Sequence, residues 1–167
     1  DNINEIIDGL WLGNYTAAEN VEDLKKKGIK KILSVMNQES PNYKSEDGFI
    51  HKKVEIIDFD SENIIKHFGE CLNFIDGNEK VLVHCMAGAS RSATIIIAYL
   101  MWKKKMKYNE AKDFVQNKRF IVDPNDGFKE QLKLFEEELI KNDYDINKIN
   151  FDEIKWEPNE DVFGEHI

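Results

Sequence analysis

Cysteine is nearly absent from this 167-residue chain: Cys71 and Cys85 are the two. That excludes a disulfide-stapled scaffold and a cysteine-rich zinc module, and it suits a reducing compartment, intracellular and either cytoplasmic or nuclear. Proline is scarce as well, with three residues, and no low-complexity linker or internal repeat divides the chain, so one domain is expected. Long apolar runs are missing. The most hydrophobic stretch, residues 95–99, is soon closed by Lys103, Lys104 and Lys105, far short of the ~20 residues of a membrane span; no membrane partner is expected. Positive charge is in deficit, 23 basic against 32 acidic residues for a net charge of −9, which argues against nucleic acid as a partner. The four histidines are scattered without metal-ligand spacing, so neither metal nor cofactor is expected. The chain opens on Asp1 with no visible secretory signal and reads as a processed or trimmed product.

What is present is an alternation of strand-like and helix-like segments. Residues 6–12 read as a hairpin around Asp8-Gly9, and residues 16–27 as a helix stopped by Gly28. Residues 29–35 read as a strand, 37–48 as a polar loop and 52–57 as another strand. In residues 61–76, Ile64, Ile65, Phe68, Leu72 and Ile75 fall near helical spacing, with Asp60 or Ser61 as N-cap. A strand at 80–84, an apolar helix from Ser92 to Trp102, a short helix at 109–117 capped by Asn109, and a long helix at 124–141 complete the pattern. Strands separated by helices predict an α/β fold: a single domain with a central, mostly parallel sheet flanked by helices on both faces. The domain is expected to span residues 1–141. Residues 142–167 carry eight acids against two lysines and form an acidic extension. It retains Phe151, Ile154, Trp156 and Phe163, so it is either a free tail or a strap packed on the domain.

Between the strand at 80–84 and the next helix lies HCMAGASRS, from His84 to Ser92. A small-residue loop leading into a helix start presents successive backbone N–H groups, and the helix dipole adds about half a positive charge. Ala87, Gly88 and Ala89 keep side chains clear, and Arg91 supplies a fork for two oxyanion oxygens. A cysteine at this mouth sees the same field, which favours its thiolate. The loop therefore binds a tetrahedral oxyanion and aims sulfur at its centre, a geometry suited to attack on phosphorus. A merely structural cysteine leaves the arginine at the helix start without a purpose.

HCMAGASRS resembles the Cys-(five residues)-Arg-Ser/Thr signature of the cysteine-dependent protein tyrosine phosphatases, and its Ala-Gly-x-Ser-Arg-Ser form resembles the dual-specificity branch. GLWLGNYTAAEN (residues 9–20), GIKKILSV (28–35) and DPNDGFKEQLKLFEEEL (123–139) are similar to further family segments in the same order, so the resemblance covers residues 4 to 140. It implies a phosphatase-like fold and a cysteinyl-phosphate intermediate. Cys85 would be the nucleophile. Arg91 and the backbone of Met86, Ala87, Gly88, Ala89, Ser90 and Arg91 would hold phosphate. Ser92 would ease departure of the thiolate, or simply cap the helix, or do both. His84 would order the loop and help keep Cys85 ionised, or would be an ordinary core group. The general acid would come from residues 54–64: Asp58 by its spacing to Asn63, with Asp60 as runner-up. Asn63 and Asn125 match supporting positions. Lys118 and Arg119 are either solvated or placed to steer a phosphopeptide. None of the five variable loop positions is charged, which favours a phosphorylated protein over a phosphoinositide or an RNA triphosphate, with phosphotyrosine, phosphoserine and phosphothreonine all admitted. A phosphate-gripping scaffold without turnover is the competing class.

Overall fold

The computed structural model describes residues 1–158; the rest of the acidic extension, including Phe163, lies outside the described residues. Strand β1 (Ile3–Ile7) turns at Gly9, whose φ of +82° suits glycine, into β2 (Leu10–Gly13). Helices α1 (Tyr15–Glu19) and α2 (Val21–Lys26) lead to β3 (Ile29–Val35) and β4 (Ile50–Val54). Then come α3 (Phe68–Ile75), β5 (Lys80–His84), α4 (Arg91–Lys103), α5 (Tyr108–Lys118) and α6 (Asp126–Lys141). The sheet order is β1-β2-β5-β3-β4, with β1 antiparallel at one edge and the other pairs parallel.

The central strand β5 shows why both faces are covered. Successive side chains of a strand point to opposite faces. Leu82 joins Ala18, Leu24, Ile29 and Ile32 under α1 and α2. Val81 and Val83 join Leu33, Val35 and the packed faces of α3 to α6. Helix α4 lies within that second layer, and every residue from Arg91 to Met101 is buried. A helix surrounded by protein needs no polar face, which accounts for its all-apolar reading. The mostly parallel sheet and two helical layers match the expected fold class.

Three local expectations change. The helix expected over 16–27 is two helices, because Asn20 intervenes: its N–H bonds Ala17 O, and its Oδ1 accepts from Asp23 N at 3.2 Å. The strand at 52–57 is β4 and stops at Val54. Beyond it Ile56 O accepts from Arg91, and Ile57 N donates to Glu62 Oε1, so these peptide groups are taken by partners outside the sheet. Of the helix at 61–76 only α3 and a 3₁₀ turn, Ile65–His67, form. Ile64, Ile65 and Phe68 are buried as their spacing implied. Yet Ile65 N donates to Gln131 Oε1, and Gln131 Nε2 donates to Glu62 O. Tertiary hydrogen bonds replace the helical ones and leave residues 58–64 irregular. The next helix, α5, begins at Tyr108 with Lys107 at its N-cap, so Asn109 lies inside it.

The described part of the extension is a strap. Ile146 and Ile149 are buried in the main core, and Phe151 packs on Phe135 with ring centroids 6.0 Å apart. Trp102 Nε1 donates to Tyr144 O at 3.1 Å. Burying such side chains stabilises by about 1.5–3 kcal/mol each. A chain ending at Asn142 is therefore expected to melt at least ~5 °C below the full chain, since about 1 kcal/mol corresponds to ~2–4 °C at this size. An unchanged melting curve would show that the strap adds nothing.

Candidate active site

The peptide plane holds C=O and the following N–H on opposite sides. From Met86 to Ala89 every carbonyl of the loop is engaged from behind. Met86 O accepts from Tyr15 N, Ala87 O and Gly88 O from Arg119 Nη2 and Nε, and Ala89 O from Asp123 N, all at 2.8–3.2 Å. With the carbonyls outward, the N–H groups of residues 87 to 90 turn inward. Gly88 N donates to Cys85 Sγ at 3.3 Å. The turn requires glycine at 88. Its φ is +69°, and a Cβ would lie 2.6 Å from Gly13 O and 2.9 Å from Arg119 Nη2.

Cys85 follows β5 and is buried, with Ser92 Oγ 3.0 Å from its sulfur. Ser92 does not cap α4. The N-cap position belongs to Ser90, which makes no side-chain capping bond. Arg91, also buried, is fixed through Nη1 by Asn37 Oδ1 (2.8 Å), Gln38 Oε1 (3.2 Å) and Ile56 O (3.1 Å). Its Nε is buried without a protein partner. A buried donor left unpaired costs free energy, and a ligand oxygen would satisfy it.

His84 has no exposure, and desolvation lowers its pKa to about 4. It is therefore neutral at pH 7 and lends no positive charge to Cys85. Its contacts assign its tautomer. Cys85 O, 3.0 Å from Nδ1, can only accept, so Nδ1 carries the hydrogen. Nε2 then accepts from Ser34 Oγ at 2.6 Å, and Ser34 in turn accepts from His51 Nε2 at 2.8 Å. His84 positions the backbone of the cysteine.

Asp58 is exposed, yet its carboxylate is held. Both contacts fall on one oxygen: Oδ1 accepts from Ser90 Oγ at 2.7 Å and from Asn125 Nδ2 at 3.0 Å, with no hydrogen bond to Oδ2 among the described residues. Asn125 also caps α6, accepting from Phe128 N at 2.9 Å. The loop carrying Asp58 rests against the start of α6: a Cβ on Gly127 would collide with Asp60 O and lie 2.7 Å from Asp60 C. The structure thus gathers Cys85, Arg91, Ser92, His84, Asp58 and Asn125 around one loop. Asn63 Oδ1 accepts from Lys66 N at 3.3 Å as the cap of a turn.

A family model for the dual specificity phosphatase catalytic domain matches residues 10–138. The chain belongs to the dual-specificity phosphatases. It is 38% identical to dual specificity protein phosphatase 1B of Arabidopsis thaliana over 82% of this chain and 83% of that protein. It is 41% identical to human dual specificity protein phosphatase 9 over 81% of this chain and 36% of that longer one. The crystal structure of a human tyrosine phosphatase-like serine/threonine/tyrosine-interacting protein superposes with a TM-score of 0.79 at 39% identity, covering 83% of this chain and 98% of that one. The family is one of hydrolases acting on phosphorylated proteins. No helix among the described residues is long and apolar enough to cross a membrane, and none of their His, Cys, Asp and Glu side chains group as a metal site.

In this dual-specificity phosphatase several residues hold the loop through contacts that sequence reasoning did not foresee. Arg119, expected to be solvated or to steer a phosphopeptide, is neither solvated nor at the surface. It is buried behind the loop, binding Asp1 O and Asn4 Oδ1 as well as the loop carbonyls. Burial pulls its pKa down, and the Cys85 charge offsets part of that. Asn37 and Gln38 sit in what reads as polar loop, and Gln131 lies in the segment similar to the family's closing helix. Cys71 is a core thiol, its pKa pushed up by burial.

Neutral His84 links folding to pH. An unfolded histidine titrates near 6.5, while His84 resists protonation down to about 4. Its contribution is therefore full above pH 6.5 and is lost as pH falls toward 4. Between pH 7 and 5 the cost is about 2 kcal/mol, at ~1.36 kcal/mol per pKa unit. Urea unfolding at both pH values should show that loss reduced in His84→Gln. An equal loss in variant and parent would assign the pH dependence to other groups.

Proposed function

We propose that this phosphatase hydrolyses phosphotyrosine, phosphoserine and phosphothreonine monoesters of proteins through a cysteinyl-phosphate intermediate. The observation that carries the reading is the buried, unpartnered Arg91 Nε beside a loop whose carbonyls are all tied outward. Such a site is preorganised for an anion with several oxygens.

Cys85 thiolate attacks phosphorus. The S–P bond forms, the P–O bond to the side chain breaks, and protonated Asp58 gives its proton to the departing oxygen. The inward N–H groups and Arg91 bind the three equatorial oxygens as charge spreads over them. In the second step water attacks phosphorus, its proton passes to Asp58, and the S–P electrons return to sulfur. Ser92 Oγ, 3.0 Å away, donates to the leaving thiolate. Ser90 and Asn125 hold Asp58 through one oxygen and free the other for proton transfer. His84 orients Cys85 through its backbone.

With a generic aryl phosphate, turnover is expected to vanish in Cys85→Ser and to be blocked by vanadate in the parent. Asp58→Asn should lower kcat on phosphoserine or phosphotyrosine peptides by ~10²-fold or more, the scale of one general acid; Asp60→Asn should change it little. The reverse pattern would move the acid to Asp60. Folded, reduced parent protein that binds phosphate but never turns over would support a binding role instead, the sense carried by the name of the human phosphatase-like interacting protein.

A further inference from the structure

Large apolar side chains are rarely left in water one beside another, yet several stand around the cradle. Phe120 is 89% exposed, Phe59 65%, and Met86 and Ile121 43% each. Each belongs to a segment bonded to the phosphate loop. Met86 follows Cys85. Phe59 follows Asp58, whose carboxylate is tied to Ser90. Phe120 and Ile121 form the tip of a turn anchored at both ends, by Arg119 to Ala87 O and Gly88 O, and by Asp123 N to Ala89 O. The cradle is therefore flanked by separate segments that each carry an exposed apolar side chain.

The charges nearby narrow what this rim receives. Arg119 spends its donors on the backbone behind the loop and on Asn4. Lys129 is paired with Asp123 at 2.9 Å and lies 3.8 Å from Asp126. Lys118 rests on the Phe114 ring, 5.6 Å from its centroid. Asp58, Asp60 and Asp123 lie on the same loops, and Asp126 opens α6. Beyond the cradle itself the mouth is apolar and acidic, a poor surface for a second phosphate or an acidic cluster.

We propose that the rim formed by Phe59, Met86, Phe120 and Ile121 is a substrate-docking surface selecting phosphorylated segments with large apolar side chains next to the phosphoresidue and no acidic neighbours. The proposal rests on the phosphatase reading of the cradle and adds the substrate class. The phosphate enters the loop, flanking apolar side chains lie on the rim and leave water, and acidic neighbours meet the rim carboxylates.

The test separates binding from turnover. Three peptides share one central phosphotyrosine and carry leucine and phenylalanine, glycine and serine, or glutamate and aspartate on either side. Their Kd values are measured on Cys85→Ser protein by fluorescence anisotropy, while hydrolysis of an aryl phosphate by the parent tests the phosphatase reading separately. The apolar peptide is expected to bind about tenfold tighter than the neutral one, and the acidic peptide more weakly than either. In Cys85→Ser carrying Phe120→Ser and Ile121→Ser, both surface changes, the apolar-to-neutral ratio should fall toward one. Equal affinities, a preference for the acidic peptide, or a ratio unmoved by the two serines would overturn the proposal. So would concentration-dependent dimerisation abolished by the same serines without any peptide preference, since the rim would then belong to a second copy of the chain.

Discussion

A peptide group cannot turn its N–H toward a ligand without turning its neighbouring carbonyl away, and a carbonyl turned into protein needs a donor. The phosphate loop meets that constraint by borrowing donors from three parts of the fold. Tyr15 opens α1, Arg119 ends α5, and Asp123 precedes α6. Without them the loop would have no reason to present its N–H groups to one point. Gly88 belongs to the same arrangement, since only a residue without Cβ lets the loop lie against Gly13 and Arg119. The geometry of the loop thus depends on a cation buried behind it, Arg119.

The Asp58 carboxylate is held by related means. Asp58 lies on an irregular segment, which by itself would be mobile. Ser90 and Asn125 take one of its oxygens, Gln131 pins the following backbone at two points, and Gly127 allows α6 to approach Asp60 without a gap. Helix α6 serves both sides, since its N-cap Asn125 also bonds Ser90 Oγ through its own N–H. The Cys85 loop and the Asp58 loop are therefore referenced to one helix. Behind them, the hydrogen-bonded chain from His51 through Ser34 to neutral His84 ends on the Cys85 carbonyl and fixes that peptide.

Chemistry concentrated in a short span was legible from residues alone. A strand, a cysteine, small residues, an arginine and a buried helix are adjacent in HCMAGASRS, and the alternation of strand and helix was enough to expect a mostly parallel sheet with two helical layers. Asp58 was expected from its spacing to Asn63, and the structure places it against Ser90 and Asn125 while Asn63 caps a turn. Contacts that depend on distant partners gave no local signal. Arg119 beside Lys118 reads as solvated or steering, not as a donor to the loop behind it, and Asn37 and Gln38 read as polar loop. The helix expected over 61–76 failed for the same reason: apolar spacing records which side chains are buried, not which groups satisfy the backbone between them.

The sequence by itself determined the family and the kind of fold and set Cys85 and Arg91 in one loop, because local order sets strand and helix periodicity. The tertiary structure alone decided which way the loop's peptides face, which oxygen of Asp58 is occupied, that His84 is neutral, and that residues 144–154 pack against the core. Each of these depends on donors, carboxylates or desolvating neighbours brought in from elsewhere in the chain. A hydrogen bond of 3 Å or the burial of a charge is a property of three-dimensional proximity, which no one-dimensional pattern encodes.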